Sequence, residues 1–300
     1  MFRNELIVSN IRKIFCVALL LLTLSCSNTS RSGGQHPEIM VSIAPQKFFA
    51  KKLLGDIAEV KVLVPPGANP ESFDPTPNTL LSLSSCKAFF YMGSLTMENT
   101  LIDAISESGV RLIDLSGYVP KEAMDAYGVD HVCSHPGHHD SHFGDPHYWS
   151  SILGGRAIAK GMFETLQSLF PEYKELLHEN YLQLSADIDR IEKEIQELKS
   201  QSSIRSFVIY HPSLSFFSGE WELNQIAVER EGKEPTPQHI EQLIEEAKTQ
   251  NAGVVLLQQE FNSSSVESIA KALSLKTFTI NPLSEEWDRE LLDTAKAIFR

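Results

Sequence analysis

The chain has 300 residues, 42% of them apolar, and carries 39 acidic against 26 basic side chains for a formal net charge of −13. A chain this acidic repels nucleic acid and attracts cations, and its length provides for one large or two modest domains. Cys86 and Cys133, the two cysteines beyond the amino-terminal segment, match no zinc-finger spacing.

Arg3, Arg12 and Lys13 precede a Leu-rich run from Phe15 to Leu24, the charge-then-apolar form of a secretory signal, too short for a comfortable membrane span. The run ends at Leu24-Ser25-Cys26, which resembles the lipobox of bacterial lipoproteins. Residues 1–25 read as the signal, Cys26 as the lipidated new terminus and residues 26–37 as a flexible Ser/Gly tether. Conventional cleavage is the alternative. Either way the chain is expected outside the cytoplasm, in the periplasm or on the cell surface, anchored to a membrane through Cys26.

From Glu38 onward short apolar runs alternate with helical segments, which argues for α/β architecture with parallel strands. Strands are expected at Ile39–Ala44, Val60–Val64, Ala88–Met92 and Val110–Asp114, with helices at Gln46–Leu54, Asn78–Ser84 and Glu98–Ser108. A proline-rich loop, residues 65–75, leaves the second strand at the edge where open α/β sheets place ligands. It offers Glu71 first and Asp74 second as candidate metal ligands, against the plainer reading of a surface turn.

Six of the ten histidines lie between His131 and Trp149, in HVCSHPGHHDSHFGDPHYW. Neutral imidazole donates a lone pair near neutral pH, and a short His-rich tract reads as metal binding. His131, His135, His138, His139 and His142 are interleaved with Gly, Pro, Ser and Asp, so residues 131–142 read as a loop that binds metal loosely or is simply a polar insertion. His147 differs: Asp145-Pro146-His147-Tyr148-Trp149 runs straight into a helical segment, which fixes the imidazole against a framework as a selective site requires.

Beyond Leu169, apolar residues from Tyr173 through Leu177, Tyr181, Leu184, Ile188, Ile191 and Ile195 to Leu198 recur at steps of three and four. This is one amphipathic helix of roughly 40 Å at 1.5 Å per residue. We read it as a spine within the chain rather than a coiled coil, because α/β units lie on both sides. A further strand, Ser206–Tyr210, ends at His211, primed to meet His147. Strands at Leu223–Val228, Gly253–Gln258 and Lys276–Ile280 follow, with helices at Thr236–Gln250, Ser263–Leu273 and Glu285–Phe299. Asn281 and Glu285 stand just past the last strand, and Glu260 past the one before it.

The succession of lipobox, PPGANPES loop, His-rich insertion, DPHYW, long helix, VIYHPS, EPTP and INPLS resembles the metal-specific solute-binding lipoproteins that serve zinc and manganese ABC importers. The resemblance implies two lobes, each a mainly parallel four-stranded sheet flanked by helices, joined by one long helix with the metal between them. The lobes are expected at residues 38–170 and 204–300, the linking helix at 171–203. It further implies His147 and His211 as ligands. Two positions depart from the family: Glu71 stands where a histidine is usual, and Asn281 where an acidic residue is usual. The expected metal set is therefore Glu71, His147 and His211, completed by Asn281, Glu285 or water, with Glu260 a weaker candidate that orients a ligand from behind. Two imidazoles and oxygen suit zinc, and a carboxylate in place of an imidazole shifts the site towards manganese or iron; related His loops accompany zinc carriers, so the order is zinc, then manganese. A membrane permease is the implied partner, and the chain is expected to be a monomer. The rival readings are a secreted zinc hydrolase, opposed by the lack of HExxH and of a nucleophile elbow in the sequence, and a surface adhesin.

Overall fold

The computed structural model describes residues 38–128, 145–229, 235–259, 261 and 264–300. Two four-stranded sheets, all parallel, form the framework. The first has β1 (Glu38–Val41), β2 (Glu59–Val62), β3 (Ala88–Tyr91) and β4 (Arg111–Asp114) in the order β2-β1-β3-β4. The second has β5 (Ser206–Ile209), β6 (Asn224–Ala227), β7 (Val255–Gln258) and β8 (Thr277–Ile280) in the order β6-β5-β7-β8. The order in which strands are added therefore reverses beside the first strand of each sheet, and ligands of such sheets bind beyond the carboxyl ends of the strands at that point.

Helices α1 (Ala44–Leu54), α2 (Pro77–Ser85), α3 (Thr96–Ile105) and α4 (Lys121–Tyr127) belong to the first half. Next come α5 (Ile152–Leu169) and the long α6 (Lys174–Ser200), and then α7 (Ser215–Trp221), α8 (Pro237–Thr249), α9 (Ser264–Leu273) and α10 (Trp287–Phe299). The two Thr-Pro pairs of the sequence are helix starts: Thr76 and Thr236 cap α2 and α8 through their hydroxyls, with Pro77 and Pro237 opening the helix. Among the described residues no helix is long and apolar enough to cross a membrane.

The 27-residue α6 buries Leu177, Leu184, Ile188, Ile191 and Ile195. That stripe packs within the chain, against α1 and α5 on one side and α10 on the other, which is the spine expected from its periodicity. Each such buried aliphatic side chain is worth about 1.5–3 kcal/mol relative to exposure. Tyr173, the first residue of the expected stripe, lies just before the helix and is exposed. One continuous apolar core runs from the first sheet through α5 and α6 to one face of the second sheet, and a smaller core covers that sheet's other face.

Indole and carboxylate groups tie the halves at the cleft. Trp149 Nε1–H donates to the Pro282 carbonyl at 2.9 Å, and Trp287 Nε1–H donates to the Trp149 carbonyl at 2.6 Å. Trp287 also lies against Phe48 and Phe49 of α1.

Candidate metal centre

Each sequence-predicted donor is held by its own local device. In the proline-rich loop, Asn69 Oδ1 accepts the Glu71 backbone N–H at 2.9 Å, an Asx turn that carries the Glu71 side chain to the cleft mouth, where it is 40% exposed. Asp145 explains the Asp-Pro-His start: its Oδ1 accepts the His147 backbone N–H at 2.8 Å and bonds His147 Nδ1 at 2.7 Å. The turn His147–Ser150 that follows is buried throughout. Tyr148 Oη donates to the Met92 carbonyl of the first lobe, while Trp149 reaches Pro282 of the second. His147 is thus fixed from both sides.

His211 follows β5 at the reversal point of the second sheet. Its backbone N–H donates to Gln258 Oε1 at 2.8 Å, its Nδ1 lies 3.2 Å from Glu229 Oε2, and its ring stacks on Phe261. In both histidines a carboxylate on Nδ1 favours the proton there, so that Nε2 is the lone-pair donor when the ring is neutral, the usual arrangement behind a metal-bound imidazole.

The three donors converge. His147 Nε2 and His211 Nε2 are 3.3 Å apart, and Glu71 Oε1 lies 3.7 Å from the first and 3.5 Å from the second. A tetrahedral ion with bonds of about 2.0–2.1 Å requires donor separations of roughly 3.3–3.4 Å. An octahedral shell of that bond length requires shorter ones, about 2.9 Å. Pro70, Leu95, Trp149, Phe261, Pro282 and Leu283 wall the cavity around the donors. Among the described residues this is the one cluster of His, Cys, Asp or Glu donors able to hold a metal ion.

The charges answer one another. Burial pushes the His211 imidazolium down, but Glu229 and Glu71 outweigh it and lift its pKa to about 9. Burial likewise pushes Glu71 up, and the hydrogen bond with His211 and the charges of both histidines overcome this and hold it below its ordinary value. Asp145 behaves the same way: burial raises it, and His147 brings it down below the ordinary carboxylate value. The site is built for a positive charge at its centre.

The remaining expected residues stand elsewhere. Glu285 is ion-paired with Lys47 at 2.6 Å and half exposed. Asn281 Oδ1 accepts the Leu283 N–H at 3.1 Å, and its own N–H goes to Glu290. Asp74 is not in the donor cluster. Glu260, His131, His135, His138, His139, His142, Cys133 and Cys26 lie outside the described residues. Cys86 is buried, and burial pushes its thiol up to about 11. Asp145 and Glu229 were not singled out from the sequence. The first could have been, since an Asp two residues before a helix-start histidine is placed to cap it; the second is brought to His211 only by the pairing of β5 with β6.

Two parallel-sheet lobes spanned by one long helix, with convergent nitrogen and oxygen donors in the cleft, define the class of two-lobed metal solute-binding proteins. The chain belongs to the ZnuA family, described as zinc-uptake complex component A, periplasmic, which it matches over residues 39–295. It is similar to the zinc-binding lipoprotein AdcA of Streptococcus pneumoniae serotype 4, with 24% identity over 269 residues covering 88% of this chain and 53% of that protein. It is also similar to the high-affinity zinc uptake system protein ZnuA of Bacillus subtilis, 24% identical over 287 residues covering 91% of this chain and 90% of that one. The chain therefore spans about half the length of the AdcA relatives it matches, 53% in the S. pneumoniae case. A crystal structure of ZnuA superimposes with a TM-score of 0.74 at 28% identity, over 87% of this chain and 96% of that one.

Proposed function

We propose that this chain is an exported, membrane-anchored zinc carrier that captures one ion between its lobes and hands it to the permease of an ABC importer. The observation that carries the reading is the triangle of Glu71, His147 and His211, whose 3.3–3.7 Å edges lie nearer the separations of a tetrahedral zinc than the shorter ones of an octahedral shell. Manganese is the second choice, because one donor of three is a carboxylate. Membership of a zinc-uptake family and similarity to proteins named for zinc binding and zinc uptake support the same reading.

In this reading residues 38–170 and 204–300 are the lobes, residues 171–203 the link, and Cys26 the lipid anchor. A carrier, unlike a hydrolase, needs an ion site with little room for substrate, and buried imidazoles between apolar walls suit that need. The test is elemental analysis of the purified chain after dialysis against equal trace zinc and manganese. One zinc per chain, lost in His211→Ala, is the expected result. Manganese in its place would reverse the metal order, and no stoichiometric metal would remove the carrier reading.

A further inference from the structure

The His147 segment is gripped at both ends by a helix of the opposite lobe. Helix α7 begins four residues after His211, and Ser215 at its start lies by Asp145, the carboxylate behind His147, and helps to hold its pKa below the ordinary value. Next to Ser215, Phe216 packs edge-on against Tyr148 at 6.2 Å. Towards its end, Glu220 reaches across to the start of α5: Oε2 accepts the Ile152 N–H and Oε1 the Leu153 N–H, both at 2.9 Å.

The first N–H groups of a helix have no partner within it, and a carboxylate there is favoured by the helix dipole as well. Ser151 Oγ, from the chain's own cap position, takes only the Gly154 N–H. The two N–H groups before it are satisfied by Glu220, from the other lobe. The turn carrying His147 lies between this contact and the Ser215–Asp145 contact.

We infer that Glu220 is a positioning residue for metal capture: it locks the segment 145–153 to the helix that follows His211, and so sets the spacing of the two imidazoles and the rate at which the ion leaves. This rests on the carrier reading above. The physical reason is preorganisation, since any freedom in the segment has to be frozen out each time an ion binds and is regained when it leaves. Glu220 is half-buried, so water can reach the vacated N–H groups and loss of the carboxylate loosens the segment without unfolding the chain.

The experiment compares wild type, Glu220→Ala and Glu220→Gln for zinc release into excess chelator and for the visible spectrum of the cobalt-substituted protein, alongside thermal unfolding of the metal-free forms. The alanine variant is expected to release zinc about tenfold faster, the low end for loss of a supporting contact around a metal site, with an altered cobalt spectrum. The glutamine variant, whose amide oxygen still serves one N–H, falls between. Release and spectrum equal to wild type overturn the inference, even if the melting temperature drops, because a merely structural contact would move only the last. Should the alanine variant fail to fold, the glutamine variant decides by the same two readouts. A wild-type chain that takes up no zinc defeats the carrier reading itself; one that binds zinc but ignores position 220 defeats only this inference.

Discussion

His147 Nε2 and His211 Nε2 stand 3.3 Å apart across the cleft, one from the turn before α5 and the other from the exit of β5. Each side of the cleft supplies one of these two converging imidazoles, so affinity depends on both. Replacing either with alanine should weaken zinc binding by more than the roughly 10–100-fold typical of losing an outer supporting group. Glu71→Ala should cost less, because its carboxylate is 40% exposed and water can take its place. Competition against a zinc-sensitive dye ranks the three, and a Glu71 variant weaker than both histidine variants would contradict this order.

Asp145 and Glu229 should matter although neither is among the three converging donors. They hold the two Nδ1 atoms at 2.7 and 3.2 Å and so fix which nitrogen faces the cleft. Asp145→Asn and Glu229→Gln are each expected to weaken zinc binding roughly 10–100-fold with the fold retained. Calorimetric titration checks this, and unchanged affinity in both would mean the rings are oriented by packing alone.

Zinc uptake should release a proton. Burial lowers the His211 pKa, the Glu229 and Glu71 carboxylates more than reverse this, and the result is about 9 in the metal-free protein, so the ring is charged at neutral pH. Because that value lies above the ordinary 6.5, the charged ring's contribution to metal-free stability is complete below pH 6.5 and is lost as pH rises through about 9. Metal affinity runs the other way, rising roughly tenfold per pH unit up to about 9 for this one displaced proton. Titrations at pH 7 in buffers of different ionisation heat should report about one proton released; an affinity flat from pH 6 to 8 would contradict it.

The packing of α5 on α10 should be intolerant of even one methyl group. A Cβ added at Gly155 would fall 2.4 Å from Trp287 Cζ2 and 2.6 Å from Cη2, and that indole is the one that donates to the Trp149 carbonyl. Gly155→Ala should therefore destabilise the protein by about 1–3 kcal/mol through overpacking. Zinc release should also quicken, because Trp149 lies against the His147 ring, 4.9 Å between centroids. Thermal unfolding and chelator-chase kinetics on one preparation read both effects.

Most strands were legible as short apolar runs, buried almost throughout at Ala88–Tyr91, Ser206–Ile209 and Val255–Gln258, and the long helix by the period of its buried stripe. Helix α4 was not: its seven residues bury only Ala123, too little for a period to show. His147 and His211 were legible because their neighbours fix them, Asp145-Pro146 before one and the end of β5 before the other. Glu229 was hidden because the register that sets Ile209 beside Ala227 brings it to His211, and pairing between strands is not written in either strand alone. Standing past a strand also does not say where a side chain turns: Asn281 and Glu285 share that placement with His211, yet Asn281 closes its own loop and Glu285 reaches Lys47.

The most direct test of the interlobe site separates it from the His-rich tract. Zinc stoichiometry and affinity would be measured by equilibrium dialysis on three purified forms: the wild type, a chain lacking residues 131–142, and the double variant His147→Ala/His211→Ala. The account predicts one tightly held zinc in the first two and none of that affinity in the third. Tight zinc kept by the double variant and lost with residues 131–142 would contradict it.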